Sequence, residues 1–311
     1  MPQGLFYTYM SSSASAWVSA ARPRTLPLAL SSIWLGSFLA AYYGAFNWDV
    51  VVWASVTTIF LQVLSNLAND YGDSIHGADS AQRQGPQRAV QAGLITPRAM
   101  RTAMIVAGLL SLCSGLYLLY VSVGFVMEVF FFFLGLGLLA IAAAITYTSG
   151  SRPYGYAGLG DISVFIFFGL VGVLGTFYLH AGWLTWELLL PAASSGLYSA
   201  GVLNVNNIRD IESDRLAGKF SIPVRIGREK AVSYHAFLLI AGFLAALAFV
   251  LLEYRSPWQF LFVISLPLFI VNLRAVFRNK EASALDPYLK QLALSTLFFV
   301  LLFGIGHLLA H

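Results

Sequence analysis

Long apolar runs separated by short polar segments dominate the pattern of hydrophobic and polar positions along this chain. A helix needs about 20 apolar residues to cross a hydrocarbon core roughly 30 Å thick. On that template the sequence predicts nine membrane-spanning helices, which cover Leu26–Tyr43, Val50–Leu67, Arg98–Val121, Val126–Tyr147, Ile162–Leu179, Trp186–Val205, Ala231–Leu252, Trp258–Phe277 and Lys290–Leu309. No period-two alternation persists long enough to predict a transmembrane barrel. The predicted fold class is therefore all-α and multi-pass.

Composition agrees with this pattern. Charged residues make up only 10% of the chain and hydrophobic residues 58%, whereas soluble proteins carry about 25% charged residues. The mean hydropathy is +0.74. These values predict a membrane protein that contacts lipids, and no nucleic-acid partner is predicted.

The basic residues are placed asymmetrically around the predicted spans. All Lys and Arg residues except Arg255 lie in the N-terminal segment or at the segments after the second, fourth, sixth and eighth spans. The opposite side carries Asp49, Glu128, Glu187 and Glu253. Because positive residues stay inside, we expect the N-terminus and the polar clusters described below on the cytoplasmic side of the membrane.

The segments outside the spans complete the predicted organisation. Residues 1–25 contain no basic residue before Arg22, so they do not resemble a cleaved signal peptide. Ala14–Arg24 is typical of an interfacial segment with Trp17 as an anchor. The cytoplasmic loops are the longest and mix both charges with Gly and Pro, which predicts cap loops over a site. The whole chain, 1–311, is predicted to form one domain.

Two polar clusters follow even-numbered spans. The first runs from Asn66 to Asp73 and the second from Asn206 to Asp214. If each helix continues through its cluster, spacings of three and four place several side-chain oxygens on one face. The first cluster contributes Asn66, Asn69, Asp70 and Asp73, and the second contributes Asn206, Asn207, Asp210 and Asp214.

Carboxylate and amide oxygens are the ligands that Mg²⁺ prefers, commonly together with substrate phosphates. Asp and Asn also cap helix ends, which is the plainer explanation for either cluster alone. Two matched clusters in a chain with only 14 acidic residues favour a shared Mg²⁺ site. No Cys or His cluster accompanies them, so zinc is not predicted.

Basic residues near the clusters indicate an anionic partner. Arg88, Arg152, Lys219 and Arg225 are placed to contact a phosphorylated substrate, although membrane orientation explains some of them. A charged group facing a cavity among apolar helices suits a substrate with a charged head and a lipid tail, such as an isoprenyl diphosphate. Metal ions would make its diphosphate a better leaving group, and aromatic faces could stabilise the allylic cation.

The two clusters resemble the two Asp-rich motifs of the UbiA superfamily of intramembrane prenyltransferases, and the resemblance covers nearly the whole chain. It is closest to the branch that prenylates 1,4-dihydroxy-2-naphthoate in menaquinone synthesis. That closer likeness rests on the first cluster and on Gly77-Ala78-Asp79, Gly85-Pro86-Gln87-Arg88, Arg152-Pro153-Tyr154-Gly155-Tyr156, Gly158-Leu159-Gly160-Asp161 and Asn204-Val205-Asn206-Asn207-Ile208-Arg209-Asp210.

The resemblance implies a nine-helix bundle around a central cavity that opens laterally to lipid. It also implies Mg²⁺-dependent attack of an aromatic ring carbon on the C1 atom of a polyprenyl diphosphate, with loss of CO₂ to give demethylmenaquinone. Mg²⁺ would be held by Asp70, Asp73, Asp210 and Asp214, assisted by Asn66 and Asn206. Arg88 and Lys219 would bind diphosphate, Arg152 and Tyr154 would lie near the reacting centres, and Asn69, Tyr147 and Asn207 would contact substrate.

Two alternatives remain at the level of sequence. One is a different acceptor within the superfamily, such as 4-hydroxybenzoate or haem, because pocket shape decides acceptor selectivity. The other is a cation-coupled transporter, whose acids would lie near the bilayer midplane on broken helices. The acids of this chain lie at span ends beside basic loops, which favours phosphate chemistry.

Overall fold

A computed structural model describes residues 14–77, 87–124 and 126–310, and within these ranges the chain is all-helical. Nine helices of the described part are long and apolar enough to span a membrane. The first is Ala14–Tyr42, whose second part is the continuous helix α1 Leu26–Tyr42. The others are α2 Trp48–Ile75, α3 Pro97–Val123, α4 Met127–Thr146, α5 Gly160–Ala181, α6 Trp186–Arg209, α7 Arg228–Leu252, α8 Pro257–Arg278 and α9 Ser283–Leu308. Asp79 and the Gly85-Pro86 pair lie outside the described residues.

The nine predicted spans are confirmed, and most observed ends lie within three residues of the predicted ones. The larger differences are all on one side of the bundle. α2 continues to Ile75, α6 continues to Arg209, and α9 begins at Ser283. The prediction followed apolar residues alone, whereas a helix continues wherever its backbone hydrogen bonds continue, whatever the polarity of its side chains.

Local sequence explains where several helices begin. The Asn47 side chain accepts a hydrogen bond of 2.9 Å from the Asp49 backbone N–H at the start of α2. Thr96 does the same for Ala99 at 3.2 Å before α3. These side chains satisfy N–H groups that have no partner within the helix.

α1 lies near the centre of the bundle, where it packs against α2, α5 and α9. The largest buried cluster joins α1, α5, α6, α7, α8 and α9 and includes Leu39, Phe177, Tyr198, Phe262 and Phe299. α4 is the most peripheral helix, and none of its residues is fully buried. Its neighbours are α2 and α3.

α5 changes its winding along its length. Residues Phe165–Gly175 form a π-helix, and α-helical turns lie on both sides of them. π-helical turns are rare and often occur at functional sites. Gly169 allows this part of α5 to approach α6 closely, because a Cβ atom there would lie 2.7 Å from the Ala192 carbonyl oxygen.

The N-terminal segment packs against the bundle. Residues 14–21 are helical, and Ala16 and Ala20 are buried beside Leu64 and Met100. Arg22 then adopts a positive φ of 49° and turns the chain into α1. The predicted interfacial segment is therefore a separate helix that is joined to the first span by a sharp turn.

Candidate active site at the polar end of the cavity

A cavity of about 450 Å³ lies between α1–α6 and α9. One end is lined by polar residues, whereas the rest is lined mostly by apolar side chains such as Leu119, Phe133, Phe167 and Leu179. Eight of the predicted site residues line the cavity: Asn66, Asn69, Asp73, Arg88, Tyr147, Tyr154, Asn206 and Lys219. The cavity therefore matches a ligand with a charged head and an apolar tail.

Asp73 is the acid of the first cluster that lines the cavity. The continuation of α2 through the cluster carries it there, and it is only 3% exposed. Its Oδ2 atom lies 2.8 Å from Nη2 of Arg88, and its Oδ1 atom accepts a 3.1 Å hydrogen bond from the Tyr156 hydroxyl. A buried carboxylate needs such partners, since an unpaired buried charge is strongly unfavourable.

Asp214 and Lys219 form the corresponding pair of the second cluster. Asp214 lies on the short helix Ile211–Leu216, and its Oδ1 atom is 3.3 Å from Nζ of Lys219. The other carboxylate oxygen, Oδ2, is buried and has no hydrogen-bond partner among the described residues. Lys219 also lies 6.0 Å from the ring centre of Tyr156. Tyr156 therefore contacts both the Asp73 and the Asp214 pair, and the two clusters meet at one end of the cavity.

Burial and neighbouring charges set the ionisation of this pair. Burial raises the pKa of Asp214 to about 6, Lys219 opposes that shift, and the carboxylates of Asp210 and Asp73 add to it. Burial alone would lower the pKa of Lys219, but the nearby carboxylates of Asp214 and Asp73 outweigh burial and raise it. At neutral pH the two side chains are therefore a carboxylate and an ammonium ion.

Arg209 forms a two-pronged ion pair with the neighbouring Asp210. Its Nε and Nη2 atoms lie 2.8 Å and 2.7 Å from the two carboxylate oxygens of Asp210. Nη2 also donates to the side-chain oxygen of Asn206 at 2.9 Å, and Nη1 lies 2.7 Å from Asp286 at the start of α9. α6 ends at Arg209, so Asp210 does not continue the helical face that the sequence predicted.

Asp70 has a different environment from Asp73. Its two carboxylate oxygens accept hydrogen bonds from the backbone N–H groups of Ala89 and Val90, at 3.1 Å and 3.2 Å. It does not line the cavity. Asp70 therefore holds the turn that follows Arg88, and both its oxygens are engaged in this arrangement.

The asparagines of the first cluster also form hydrogen bonds with neighbouring segments of the chain. The Asn66 amide donates to the Ala21 carbonyl at 2.8 Å and to the Thr25 hydroxyl at 2.9 Å. The Asn69 side-chain oxygen accepts a 3.2 Å hydrogen bond from Thr148. Both side chains line the cavity as well, so they shape the polar end of the cavity and join it to the adjacent turns.

The structure corrects the placement of several predicted residues. Arg152 is exposed and does not line the cavity, because the turn after α4 directs it to the surface. Asn207 is buried one position further round α6 than Asn206 and does not line the cavity either. Asp210 and Asp214 lie behind the lining, where Arg209 and Lys219 contact them.

Other polar residues at this end were not predicted from the sequence. Arg22, Arg24 and Lys290 line the cavity, and their positions at span ends had indicated only membrane orientation. Arg209 could have been suspected, since it follows Asn206 by three residues and therefore shares its helical face. Nothing in the linear sequence indicated that Asp286 lies beside Arg209.

The residues at this end fit a divalent metal only together with a further ligand. Among the described residues, no three His, Cys, Asp or Glu side chains lie close enough together to hold an ion by themselves. Mg²⁺ commonly binds through one or two carboxylates plus substrate phosphates. The buried, unpartnered Oδ2 atom of Asp214 and the carboxylate of Asp73 are hard oxygen donors of that kind.

A model of the UbiA prenyltransferase family matches residues 29–302, and the chain belongs to that family. The 1,4-dihydroxy-2-naphthoate octaprenyltransferases of Haemophilus influenzae and Escherichia coli are each 45% identical to it over 295 residues. These matches cover 94% and 95% of this chain and 96% of each relative.

Solved structures share the fold at low sequence identity. The structure of a UbiA homologue from Aeropyrum pernix has a TM-score of 0.67 at 18% identity, covering 90% of this chain and 96% of that one. A homologue from Archaeoglobus fulgidus, solved with DMAPP and Mg²⁺, has a TM-score of 0.57 at 17% identity, covering 94% and 99%. The nine-helix arrangement is therefore that of UbiA proteins.

Proposed function

We propose that this protein transfers a polyprenyl group from polyprenyl diphosphate to 1,4-dihydroxy-2-naphthoate, with loss of CO₂. The observation that carries the reaction type is the cavity, which has two buried acid–base pairs at one end and apolar walls along the rest. The acceptor is supported by the names of relatives that are 45% identical over nearly the whole chain.

The donor diphosphate binds where the two clusters meet. Arg88 offers a planar guanidinium that suits forked contacts to phosphate oxygens, and Lys219 offers a compact charge. Arg88 is paired with Asp73 and Lys219 with Asp214. An arriving diphosphate would compete with these carboxylates for the two cations.

Mg²⁺ bound between the carboxylates and the diphosphate would neutralise the leaving group. Two acids are best placed to hold it: Asp73 on the cavity wall, and Asp214, whose unpartnered Oδ2 atom lies behind the lining beside Lys219. Asn206 is a neutral oxygen donor on the cavity wall. The Mg²⁺ in the Archaeoglobus fulgidus structure agrees with this role. Asp70 and Asp210 support the site through Ala89, Val90 and Arg209.

The proposed reaction requires one bond to break at the donor and one to form at the acceptor. The C1–O bond of the prenyl diphosphate breaks, and its electron pair leaves with the diphosphate. The electron-rich naphthoate ring supplies the pair for the new carbon–carbon bond. Departure of the carboxylate as CO₂ returns an electron pair to the ring, so the product is the quinol form of demethylmenaquinone and no external oxidant is needed.

Two tyrosines border the space in which C1 would lie. Tyr147 and Tyr154 line the cavity, with ring centres 5.4 Å apart in an edge-to-face arrangement. Burial raises the pKa of both hydroxyl groups. They therefore remain neutral at physiological pH, and their ring faces can stabilise a developing allylic cation.

The membrane location follows from the nine spans and the one-sided basic residues. The protein is multi-spanning, and we propose that it lies in the inner membrane of a bacterium with the polar end of the cavity toward the cytoplasm. Both substrates fit this location, because the donor carries a lipid tail and the acceptor is a water-soluble acid.

The proposed function is tested by incubating purified protein in lipid nanodiscs with Mg²⁺, octaprenyl diphosphate and a panel of aromatic acids. The panel contains 1,4-dihydroxy-2-naphthoate labelled at its carboxyl carbon, and 4-hydroxybenzoate. We expect a prenylated naphthoquinol by mass spectrometry and one labelled CO₂ per product. Preferential prenylation of 4-hydroxybenzoate, or a product that retains the carboxyl group, would contradict the proposal.

A further inference from the structure

Tyr156 is a side chain that contacts both acid–cation pairs. It lies in the segment between α4 and α5. Its hydroxyl donates to Oδ1 of Asp73 at 3.1 Å, and its ring centre lies 6.0 Å from Nζ of Lys219. Tyr156 does not line the cavity, so it is not placed to contact substrate. Any effect that Tyr156 has on the reaction must therefore act through Asp73 and Lys219.

The carboxylate of Asp73 is oriented by two different residues. Arg88 contacts Oδ2 through Nη2 at 2.8 Å, and Tyr156 contacts Oδ1. The two oxygens of a carboxylate offer about four acceptor sites, so Oδ1 can keep this hydrogen bond and still bind a metal. Without the hydroxyl, the carboxylate could turn until both oxygens face the planar fork of Arg88. The Tyr156 hydroxyl therefore keeps Oδ1 apart from Arg88 and available as a metal ligand.

The ammonium group of Lys219 is also held by two residues. Its Nζ atom lies 3.3 Å from Oδ1 of Asp214. The distance of 6.0 Å to the ring centre of Tyr156 is within the range at which a cation is attracted to an aromatic face. Because a lysine side chain is flexible, contacts with both neighbours limit where its charge lies. The ring of Tyr156 therefore helps to keep this charge at the cavity wall.

Hydrogen bonds to the backbone fix the position of Tyr156 itself. The Phe220 N–H donates to the Tyr156 carbonyl at 2.9 Å. Arg225 donates through Nε to the Phe220 carbonyl and through Nη2 to the Ala157 carbonyl, both at 2.9 Å. Gly158 has a positive φ of 77°, and a Cβ atom there would lie 2.6 Å from the Phe220 carbonyl oxygen. Arg225 does not line the cavity, so it joins these two segments rather than contacting substrate.

Resting on the proposed function, we propose that Tyr156 is a positioning residue for the donor diphosphate and its metal. Its hydroxyl orients Asp73 as a metal ligand, and its ring orients Lys219 toward the diphosphate. The two contacts use different parts of one side chain, so they can be removed separately. Tyr156→Phe removes the hydroxyl and keeps the ring, whereas Tyr156→Leu removes both.

The test measures binding of geranyl diphosphate by isothermal titration calorimetry in nanodiscs, at a series of Mg²⁺ concentrations and without acceptor. For Tyr156→Phe, we expect the Mg²⁺ concentration for half-maximal binding to rise at least about tenfold, as is typical when a residue that orients a metal ligand is lost. Its affinity at saturating Mg²⁺ should stay within about twofold of wild type. Tyr156→Leu should in addition lower the affinity at saturating Mg²⁺ at least about threefold.

Tyr234→Phe is the matched control. The Tyr234 hydroxyl also donates to a buried carboxylate, to Oδ1 of Asp161 at 3.4 Å. Neither residue lines the cavity. The Mg²⁺ dependence of this variant should therefore stay within about twofold of wild type, although it loses the same chemical group as Tyr156→Phe.

Thermal unfolding reports whether each variant is folded, and Tyr156→Phe decides if Tyr156→Leu does not fold. A wild-type Mg²⁺ dependence in Tyr156→Phe, or an equal shift in Tyr234→Phe, would overturn this inference and leave the proposed function intact. A loss of binding in Tyr156→Phe that excess Mg²⁺ does not restore would show a structural role and overturn it as well. Wild-type protein that binds no geranyl diphosphate with Mg²⁺ would overturn the proposed function, and this inference with it.

Discussion

At the scale of single residues, the site contains cations that are held by acids in different ways. Arg88 and Lys219 line the cavity and face Asp73 and Asp214. Arg209 is 3% exposed and holds Asn206 and Asp210 from behind. Arg152 is exposed at the surface. Position in the fold therefore separates arginines that are chemically identical in the sequence.

We expect Arg88→Lys to lower kcat/KM for prenyl diphosphate at least about tenfold, which corresponds to about 1.4 kcal/mol. Lysine keeps the charge but loses the planar fork that can contact two phosphate oxygens. Arg152→Lys is the matched control and should remain near wild type, because Arg152 does not line the cavity. Steady-state kinetics with the diphosphate varied would measure both. A strong effect at Arg152 alone would reverse the assignment of the two arginines.

Arg209 forms ion pairs with both Asp210 of the second cluster and Asp286. Asp286 lies 2.7 Å from Arg209 and 3.4 Å from Arg24. Without it, Arg209 would bind Asn206 more tightly and leave the Asn206 side-chain oxygen less available to a metal. We expect Asp286→Asn to raise the Mg²⁺ concentration for half-maximal activity about tenfold, as is typical for residues that orient metal ligands.

The control for Asp286→Asn is Glu212→Gln, which removes an exposed acid that is paired with Arg215. It should leave the Mg²⁺ dependence unchanged, because an exposed pair contributes little. A titration of activity with Mg²⁺ at saturating substrates measures both variants. Loss of activity in Asp286→Asn that excess Mg²⁺ does not restore would show a structural role rather than a positioning one.

At the scale of secondary-structure elements, the close approach of α2 to the turn after α4 brings the first cluster to the cavity. The Thr148 hydroxyl lies within hydrogen-bond distance of two acceptors, the Ala68 carbonyl oxygen at 2.9 Å and the Asn69 side-chain oxygen at 3.2 Å. Gly72 makes this approach possible, because a Cβ atom there would lie 2.5 Å from the Thr148 carbonyl oxygen. Glycine weakens a helix, so its presence at Gly72 reflects packing rather than helix stability.

We expect Gly72→Ala to destabilise the protein by about 1–3 kcal/mol, since the added methyl group overlaps a backbone that cannot move freely. It should also lower turnover, because displacement of α2 moves Asp73. Gly135→Ala, also within a membrane helix but with open space at its Cβ position, should instead be neutral or slightly stabilising. Thermal unfolding in detergent compares the two. Equal melting temperatures would contradict the close contact at Gly72.

At the scale of the whole molecule, the nine spans and the one-sided basic residues together predict the orientation in the membrane. An impermeant thiol reagent should label Leu216→Cys only from the cytoplasm and Leu184→Cys only from outside. Both positions are exposed and lie in the loops after α6 and α5. Cys113→Ala supplies the background, because Cys113 is the only cysteine in the chain. Labelling of both positions from one face would contradict the nine-span topology.

The sequence by itself determined the fold class and the two polar clusters that form the site. The hydrocarbon core sets the length of each apolar run, so the nine spans could be read from hydropathy alone. Asn66, Asn69, Asp73 and Asn206 could also be assigned, because helical spacing places residues three or four apart on one face. All four line the cavity.

Only the tertiary structure decided which charged residue meets which. Asp70 holds the turn at Ala89 and Val90, and Asp286 lies beside Arg209 although 77 residues separate them in the sequence. Which apolar residues line the cavity could not be predicted either, because hydropathy reports that a residue faces an apolar environment but not whether that environment is lipid, protein or an enclosed cavity. Helical periodicity fixes neighbours within a helix, whereas contacts between helices depend on how close their backbones approach, as at Gly72.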